Sequence, residues 1–197
     1  MDLDRPLRRR LAPVALAVAR PLRRIHPVTL TLTAGTLGVS GALLVAIGQP
    51  VGAALAVIGV LLDGIDGPVA RLTERESRFG AWLDSTVDRA VDFALAAALG
   101  WRGHVTGDDA LLAVGLLAAL GSFLASYARA RAEGLEVHTT EGIAPRWVRL
   151  CLLAVAAGAL ASERVEAAVL LLGLIAILGF ATAAARGAAV FLADRER

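Results

Sequence analysis

The sequence has 197 residues, of which 57% are hydrophobic and 19% are charged, and its formal net charge is +2. Soluble domains are about half apolar and about 25% charged, and their helices carry a polar stripe that the long apolar segments of this chain lack. The composition therefore favours an integral membrane protein over a soluble helical bundle, and we expect no nucleic-acid partner. The single cysteine, Cys151, excludes an internal disulfide and a zinc site built from several cysteines.

The first predicted element is an arginine-rich stretch that includes RRRLAPVALAVA. Its basic start, short apolar core and small residues resemble a signal peptide, but arginines follow at once and Pro13 interrupts the core. Apolar residues also recur at steps of three and four between the arginines, as in a helix that lies in the membrane interface. These apolar residues are Leu3, Leu7, Leu11, Val14 and Val18. We predict an interfacial amphipathic helix over about residues 1–24, with a signal peptide as the alternative.

Long apolar segments follow this stretch. No charged residue occurs in Ile25–Leu62, Ala110–Ala128 or Ala167–Ala185, and a helix of about 20 residues crosses the ~30 Å hydrocarbon core of a bilayer. The sequence predicts an all-α protein with six transmembrane helices, at about 28–48, 51–71, 80–101, 109–131, 146–161 and 165–190. We expect a single membrane domain over residues 1–197, with the six-helix bundle at about 28–190.

The arginines predict the orientation of this bundle. An even number of spans places both termini on one side. The loops of the opposite side contain only two arginines, Arg102 and Arg164. Because positively charged residues remain in the cytoplasm, we expect a multi-pass protein of the cell (inner) membrane with both termini cytoplasmic.

Two aspartates lie near the cytoplasmic end of the second predicted helix. At about 100° per residue, Asp63 and Asp66 share one arc of the helix with Gly67 and Ala70. On the third predicted helix, Gly80 and two further aspartates, Asp84 and Asp88, recur every four residues and share a face. The loop between the two helices is short, so we expect antiparallel neighbours whose acidic faces meet.

Four facing carboxylates need positive partners, because an aspartate in mid-membrane costs about 2.5–3.5 kcal/mol. All-oxygen ligands suit Mg²⁺ or Mn²⁺, and a pair of such ions can clamp a phosphate. Ion pairing with Arg71, Arg78 and Arg89 is the structural alternative, but it does not explain the glycines on the acidic faces. A cation or proton transporter is the non-enzymatic alternative, although such proteins distribute acids over several helices.

The motif Asp63-x2-Asp66-Gly67-x2-Ala70-Arg71-x8-Gly80-x3-Asp84-x3-Asp88 resembles the complete signature of the CDP-alcohol phosphotransferases (CDP-alcohol phosphatidyltransferases), with eight fixed positions in 26 residues. The six spans and the interfacial helix also resemble this family. Its members transfer a substituted phosphate from a CDP-linked donor, usually a lipid such as CDP-diacylglycerol, to an alcohol and release CMP. A UbiA-type prenyltransferase is the enzymatic alternative, but its two aspartate-rich motifs lie far apart.

The resemblance implies a role for each matching residue. Asp63, Asp66 and Asp84 would hold two Mg²⁺ ions, or Mn²⁺, and Asp88 would complete the metal site and act as general base on the acceptor hydroxyl. The donor nucleotide would contact Asp63, Asp66, Gly67, Ala70, Arg71 and Gly80. Asp92, one helical turn after Asp88, is expected to be structural and to pair with Arg89.

The resemblance also implies a homodimer surrounded by membrane lipid. Gly35, Gly38 and Gly41 permit close helix packing, either within one chain or between two.

Downstream arginines point to the acceptor. The segments SYARARAEG and EGIAPRWVR resemble motifs of bacterial phosphatidylinositol-phosphate synthases, and a further arginine lies in the sixth predicted helix. Arginines from three helices can converge on one phosphate, and snorkelling to lipid headgroups is the alternative. The predicted acceptor-phosphate residues are Arg129, Arg146, Arg149 and Arg186. We expect a phosphorylated polyol such as inositol phosphate as acceptor, with glycerol 3-phosphate, the substrate of a phosphatidylglycerophosphate synthase, as the alternative.

Overall fold

The computed structural model describes residues 17–139 and 142–195, and all the regular secondary structure in these ranges is helical. Residues 17–22 are helical (α1), and six longer helices follow. These are α2 (Pro27–Ala46), α3 (Val51–Leu72), α4 (Arg78–Thr106), α5 (Asp109–Glu133), α6 (Arg146–Ala161) and α7 (Val165–Arg195). The six predicted helices are therefore present, within a few residues of their predicted ends.

Local sequence signals set several of these ends. Ser77 caps α4, because its hydroxyl accepts a hydrogen bond from the Gly80 amide at 3.0 Å. Gly107 ends the same helix in the left-handed region, at φ 75°. Asp108 then caps α5 by accepting from the Leu111 amide at 2.8 Å. The turn between α4 and α5 is thus specified by adjacent residues.

Four of the described helices are long and apolar enough to cross a membrane: α2, α3, α5 and α7. The helix α6 has only 16 residues, about 24 Å at 1.5 Å per residue, and α4 carries charged residues along much of its length. The structure is therefore that of an all-helical protein with several apolar helices suited to multiple passes of a membrane. The crossing by all six helices stays a prediction.

The helix α2 lies against both α3 and α4, whereas α3 and α4 have little direct contact with each other. We expected the two aspartate-bearing helices to be antiparallel neighbours whose acidic faces meet, and this expectation is only partly correct because the helices themselves touch little. Their acidic faces do meet, but across a cleft whose back wall is α2. The remaining helices pack as α4 on α5, α5 on α7 and α6 on α7 around the main apolar core.

The close approach of α2 and α3 depends on glycine. A Cβ atom at Gly59 would lie 2.7 Å from the Ala34 carbonyl oxygen and 2.7 Å from the Gly38 amide nitrogen. A Cβ at Gly41 would lie 2.5 Å from the Ala56 nitrogen. The α2 glycines are therefore used for packing within the chain, and they give no support to a dimer.

The described end of α1 docks on the bundle. Ala19 is fully buried and packs with Leu30 of α2 and Val69 of α3, whereas Val18 is 42% exposed. The other apolar positions of the predicted interfacial helix, Leu3, Leu7, Leu11 and Val14, lie outside the described residues.

Candidate active site

Three carboxylates converge where α3 meets the cleft. One side-chain oxygen from each of Asp63, Asp66 and Asp84 lies within 4.8 Å of the other two. Oxygen ligands of Mg²⁺ lie about 2.1 Å from the ion, so ligands on opposite sides are about 4.2 Å apart. A small inward movement of these side chains would thus enclose a divalent ion, and the all-oxygen donor set suits Mg²⁺ or Mn²⁺.

The carboxylate of Asp66 is oriented by two donors. The Thr31 hydroxyl of α2 donates to Asp66 Oδ2, and the Gly67 amide lies 2.5 Å from Asp66 Oδ1. Both Thr31 and Asp66 are buried, at 3% and 7% exposure. Thr31 was not among the residues predicted from the sequence. The available signal was a hydroxyl residue in an apolar helix, close to the end where the arginines gather.

A cavity of about 200 Å³ opens beside this acidic cluster. Its walls come from the start of α2, the end of α3, the following loop and the start of α4. Of the six residues predicted to bind the donor nucleotide, five line this cavity: Asp66, Gly67, Ala70, Arg71 and Gly80. The sixth, Asp63, belongs to the carboxylate cluster.

Arg146, at the start of α6, reaches into the acidic face. Its NH1 atom lies 2.6 Å from Asp88 Oδ1 and 2.9 Å from Asp63 Oδ2, and its Nε lies 3.2 Å from Asp92 Oδ1. Asp88 thus contacts this guanidinium and lies outside the three-carboxylate cluster. The structure places Arg146 with the aspartates, although we predicted it among the arginines that bind the acceptor phosphate.

The arginines named in the ion-pairing alternative do not pair with the motif aspartates in the described part of the chain. No ion pair joins Arg71, Arg78 or Arg89 to the four motif aspartates within residues 17–139 and 142–195, and Arg89 NH1 donates instead to the Ser85 carbonyl at 2.5 Å. The prediction that Asp92 pairs with Arg89 is wrong, because Asp92 faces α6.

Two of the predicted acceptor arginines are buried on neighbouring helices. Arg149 and Arg186 are each 6% exposed. Arg149 NH1 donates to the Ala144 carbonyl at 2.9 Å, and Arg186 NH1 donates to the Ala125 carbonyl at 2.5 Å. The backbone carbonyls hold these cations below the surface, an arrangement that snorkelling arginines do not need.

Arg129 lies at the rim of this basic region. It is exposed and pairs with Glu133 at 2.8 Å on its own helix. The positive charges of Arg129 and Arg149 act on Arg186, and the negative charge of Glu133 partly offsets them. Positive side chains of α5, α6 and α7 therefore gather here, and together they can attract an anion.

A second, almost wholly apolar cavity of about 430 Å³ lies between α3, α4 and α6. Leu61 of α3 and Leu150 of α6 line it; Leu61 is two residues before Asp63, and Leu150 is four residues after Arg146. The polar site and the apolar cavity thus adjoin on the same helices, and the pair suits an amphipathic molecule with a charged head and an apolar tail.

Known proteins share this arrangement of sequence and fold. The family model described as CDP-alcohol phosphatidyltransferase matches residues 24–190. The archaetidylinositol phosphate synthase of Methanothermobacter thermautotrophicus is 35% identical over 182 residues, which cover 89% of this chain and 86% of that protein.

Solved structures of the phosphatidylinositol phosphate synthase of Mycobacterium tuberculosis are also similar. The crystal structure with CDP-DAG bound has a TM-score of 0.80 and 32% identity, covering 91% of this chain and 94% of that one. The crystal structure in complex with manganese and citrate has a TM-score of 0.80 and 29% identity, covering 90% and 88%. In contrast, the matched parts span only 50% and 29% of the length of two relatives from Aquifex aeolicus.

Proposed function

This chain belongs to the CDP-alcohol phosphatidyltransferase family, and we propose that it transfers a phosphatidyl group from CDP-diacylglycerol to a phosphorylated polyol such as inositol phosphate, releasing CMP. The chain is thus a transferase of phospholipid synthesis. One observation carries the proposal: oxygens of Asp63, Asp66 and Asp84 converge within 4.8 Å beside a cavity that Gly67, Ala70, Arg71 and Gly80 of the same motif line.

The acidic side chains would hold the metal. Asp63, Asp66 and Asp84 would hold two divalent ions, and Asp88 would complete the metal site. Bound there, Mg²⁺ or Mn²⁺ would supply positive charge that stabilises the donor pyrophosphate and the departing CMP. The crystal structure of a relative with manganese supports this choice of metal.

Asp88 is the proposed general base. An alcohol is a weak nucleophile until its proton is removed. As the acceptor oxygen forms a bond to the phosphatidyl phosphorus, Asp88 takes the hydroxyl proton. The bond between that phosphorus and the CMP oxygen breaks, and CMP leaves with the electron pair.

The donor would lie across both cavities. The nucleotide would occupy the cavity lined by Gly67, Ala70, Arg71 and Gly80, and the acyl chains would extend into the apolar cavity between α3, α4 and α6. A relative's structure with CDP-DAG bound supports this class of donor.

The acceptor would lie on the α6–α7 side. Arg149 and Arg186 are buried cations, and Arg129 stands at their rim. Arginine is the side chain best suited to bind a phosphate at such a site. Arg146 would link this region to the base, because it already contacts Asp88.

The surroundings of the site follow from the same proposal. All six helices would cross the inner cell membrane, with the interfacial helix over about residues 1–24, both termini and the acidic cluster on the cytoplasmic side. Residues 1–197 would form one domain, and two copies would form a homodimer. The support is the bias of arginines towards one side of the predicted bundle and the family resemblance.

An acceptor screen tests the function. Purified protein is mixed with CDP-diacylglycerol, Mg²⁺ and either inositol phosphate, inositol or glycerol 3-phosphate, and CMP release is measured. We expect CMP release that needs both the metal and inositol phosphate. A preference for glycerol 3-phosphate would make the protein a phosphatidylglycerophosphate synthase, and no CMP from any alcohol would contradict the transferase.

A further inference from the structure

Asp92 lies one helical turn after Asp88, outside the aspartate motif, and it is only 6% exposed. Each of its carboxylate oxygens faces a different arginine of α6. Oδ1 is 3.2 Å from Arg146 Nε, and Oδ2 is 3.6 Å from Arg149 NH2. Asp92 thus bridges the helix that carries the proposed base and the helix that carries the proposed acceptor site.

We propose that Asp92 is a positioning residue that sets where the phosphate of the acceptor binds relative to Asp88. The inference rests on the proposed function. It assigns to Asp92 no contact with the metal or with the reacting atoms: Asp92 acts through the two arginines.

Electrostatics requires a carboxylate at this point. Arg146 and Arg149 are three residues apart, so their side chains lie on the same face of α6 and repel each other. Arg149 is buried, and a buried charge without its partner strongly destabilises the folded protein. Asp92 compensates both cations from a single position on α4.

The bridge also fixes geometry. The helices α4 and α6 touch at few points, so the two ion pairs are a principal link between them. Arg146 extends this link, because its NH1 contacts Asp88 at 2.6 Å. A displacement of the arginines would therefore change the distance from the acceptor phosphate to the proposed base.

Arg149 retains capacity for a ligand. Its NH1 donates to the Ala144 carbonyl and its NH2 faces Asp92, whereas its buried Nε has no hydrogen-bond partner among the described residues. Buried polar atoms are nearly always hydrogen-bonded. A phosphate oxygen of the acceptor would satisfy this donor while Asp92 holds the guanidinium in place.

The test compares the effect of one substitution on the KM values of the two substrates. The Asp92→Asn variant keeps the shape and removes the charge, and Asp109→Asn, at the exposed start of α5, is the matched control. We expect Asp92→Asn to raise the KM for inositol phosphate by about tenfold or more, as for the loss of a charge-assisted hydrogen bond. The KM for CDP-diacylglycerol and the Mn²⁺ affinity measured by paramagnetic resonance should match the control.

A second variant, Asp92→Glu, tests the same role if Asp92→Asn fails to fold. Asp92→Glu keeps the charge but moves the carboxylate by one methylene, so its KM for inositol phosphate should also rise while the KM for the donor stays constant. Wild-type acceptor KM in a folded variant, or an equal rise for both substrates, would overturn the positioning role. A wild-type protein that releases no CMP with inositol phosphate would overturn the proposed acceptor and this inference together.

Discussion

The hydroxyl of Thr31 offers a sharp test of the metal site, because it contacts the carboxylate of Asp66 and no motif residue other than that one. The change Thr31→Val removes the hydroxyl and keeps the shape of the side chain nearly constant. Asp66 keeps the Gly67 amide as a donor but loses the constraint from α2. Its carboxylate should then be free to rotate away from Asp63 and Asp84.

The expected magnitude follows from the lost contact. A hydrogen bond to a charged group contributes about 1.5–3 kcal/mol, which corresponds to about 10- to 100-fold in a dissociation constant. Removing a hydrogen-bond partner of a metal-binding side chain usually has the same effect, about 10- to 100-fold in metal affinity. We therefore expect the Kd for Mn²⁺ to rise by this factor.

The assay is a titration of the purified protein with Mn²⁺, followed by paramagnetic resonance of the free ion. Thr33→Val is the matched control, because Thr33 lies on the same helix and its exposed hydroxyl bonds only the Thr29 carbonyl, at 2.7 Å. A Thr31→Val protein that is folded and binds Mn²⁺ as tightly as the Thr33→Val protein would refute the proposal that the Thr31 hydroxyl orients Asp66 for metal binding.

Two further predictions concern the base and the packing. Asp88→Asn should lower kcat by about 10²- to 10⁴-fold, the usual contribution of a general base, with the KM for CDP-diacylglycerol unchanged; activity equal to that of Asp109→Asn would remove Asp88 from this role. Gly59→Ala should destabilise the fold by about 1–3 kcal/mol, since the added methyl would meet backbone atoms of α2 at 2.7 Å. Gly64→Ala on the same helix, where a Cβ would have no atom within 4 Å, is the control, and equal thermal unfolding midpoints would contradict the packing.

Helix positions could be predicted because apolar blocks and caps are local signals. The end of α4 was placed too early: the helix continues to Thr106, where Gly107 ends it in the left-handed region. The order of packing was beyond the sequence. Nothing in the short loop after α3 indicates that α2 lies against both α3 and α4, because that arrangement depends on how glycines and small residues fit in three dimensions.

In the candidate site too, some features could be predicted from the sequence and others could not. Helical spacing was sufficient to place Asp63 and Asp66 on one face. The partners of the aspartates could not be found, since Arg146 is 83 residues from Asp63 and 54 residues from Asp92 in the chain. Thr31 is 35 residues from Asp66. Contacts of this kind arise only when the helices are packed, and spacing along one helix does not reveal them.

The most direct measurement of the central claim follows the oxygen atom of the acceptor. Inositol phosphate labelled with ¹⁸O at its reacting hydroxyl is incubated with the protein, CDP-diacylglycerol and Mg²⁺. The masses of the new phospholipid and of CMP are then measured by mass spectrometry. Attack of the alcohol on the phosphatidyl phosphorus predicts one ¹⁸O in the new phospholipid and none in CMP. A phospholipid without the label, or CMP release at the same rate when the alcohol is omitted, would contradict the proposed transfer.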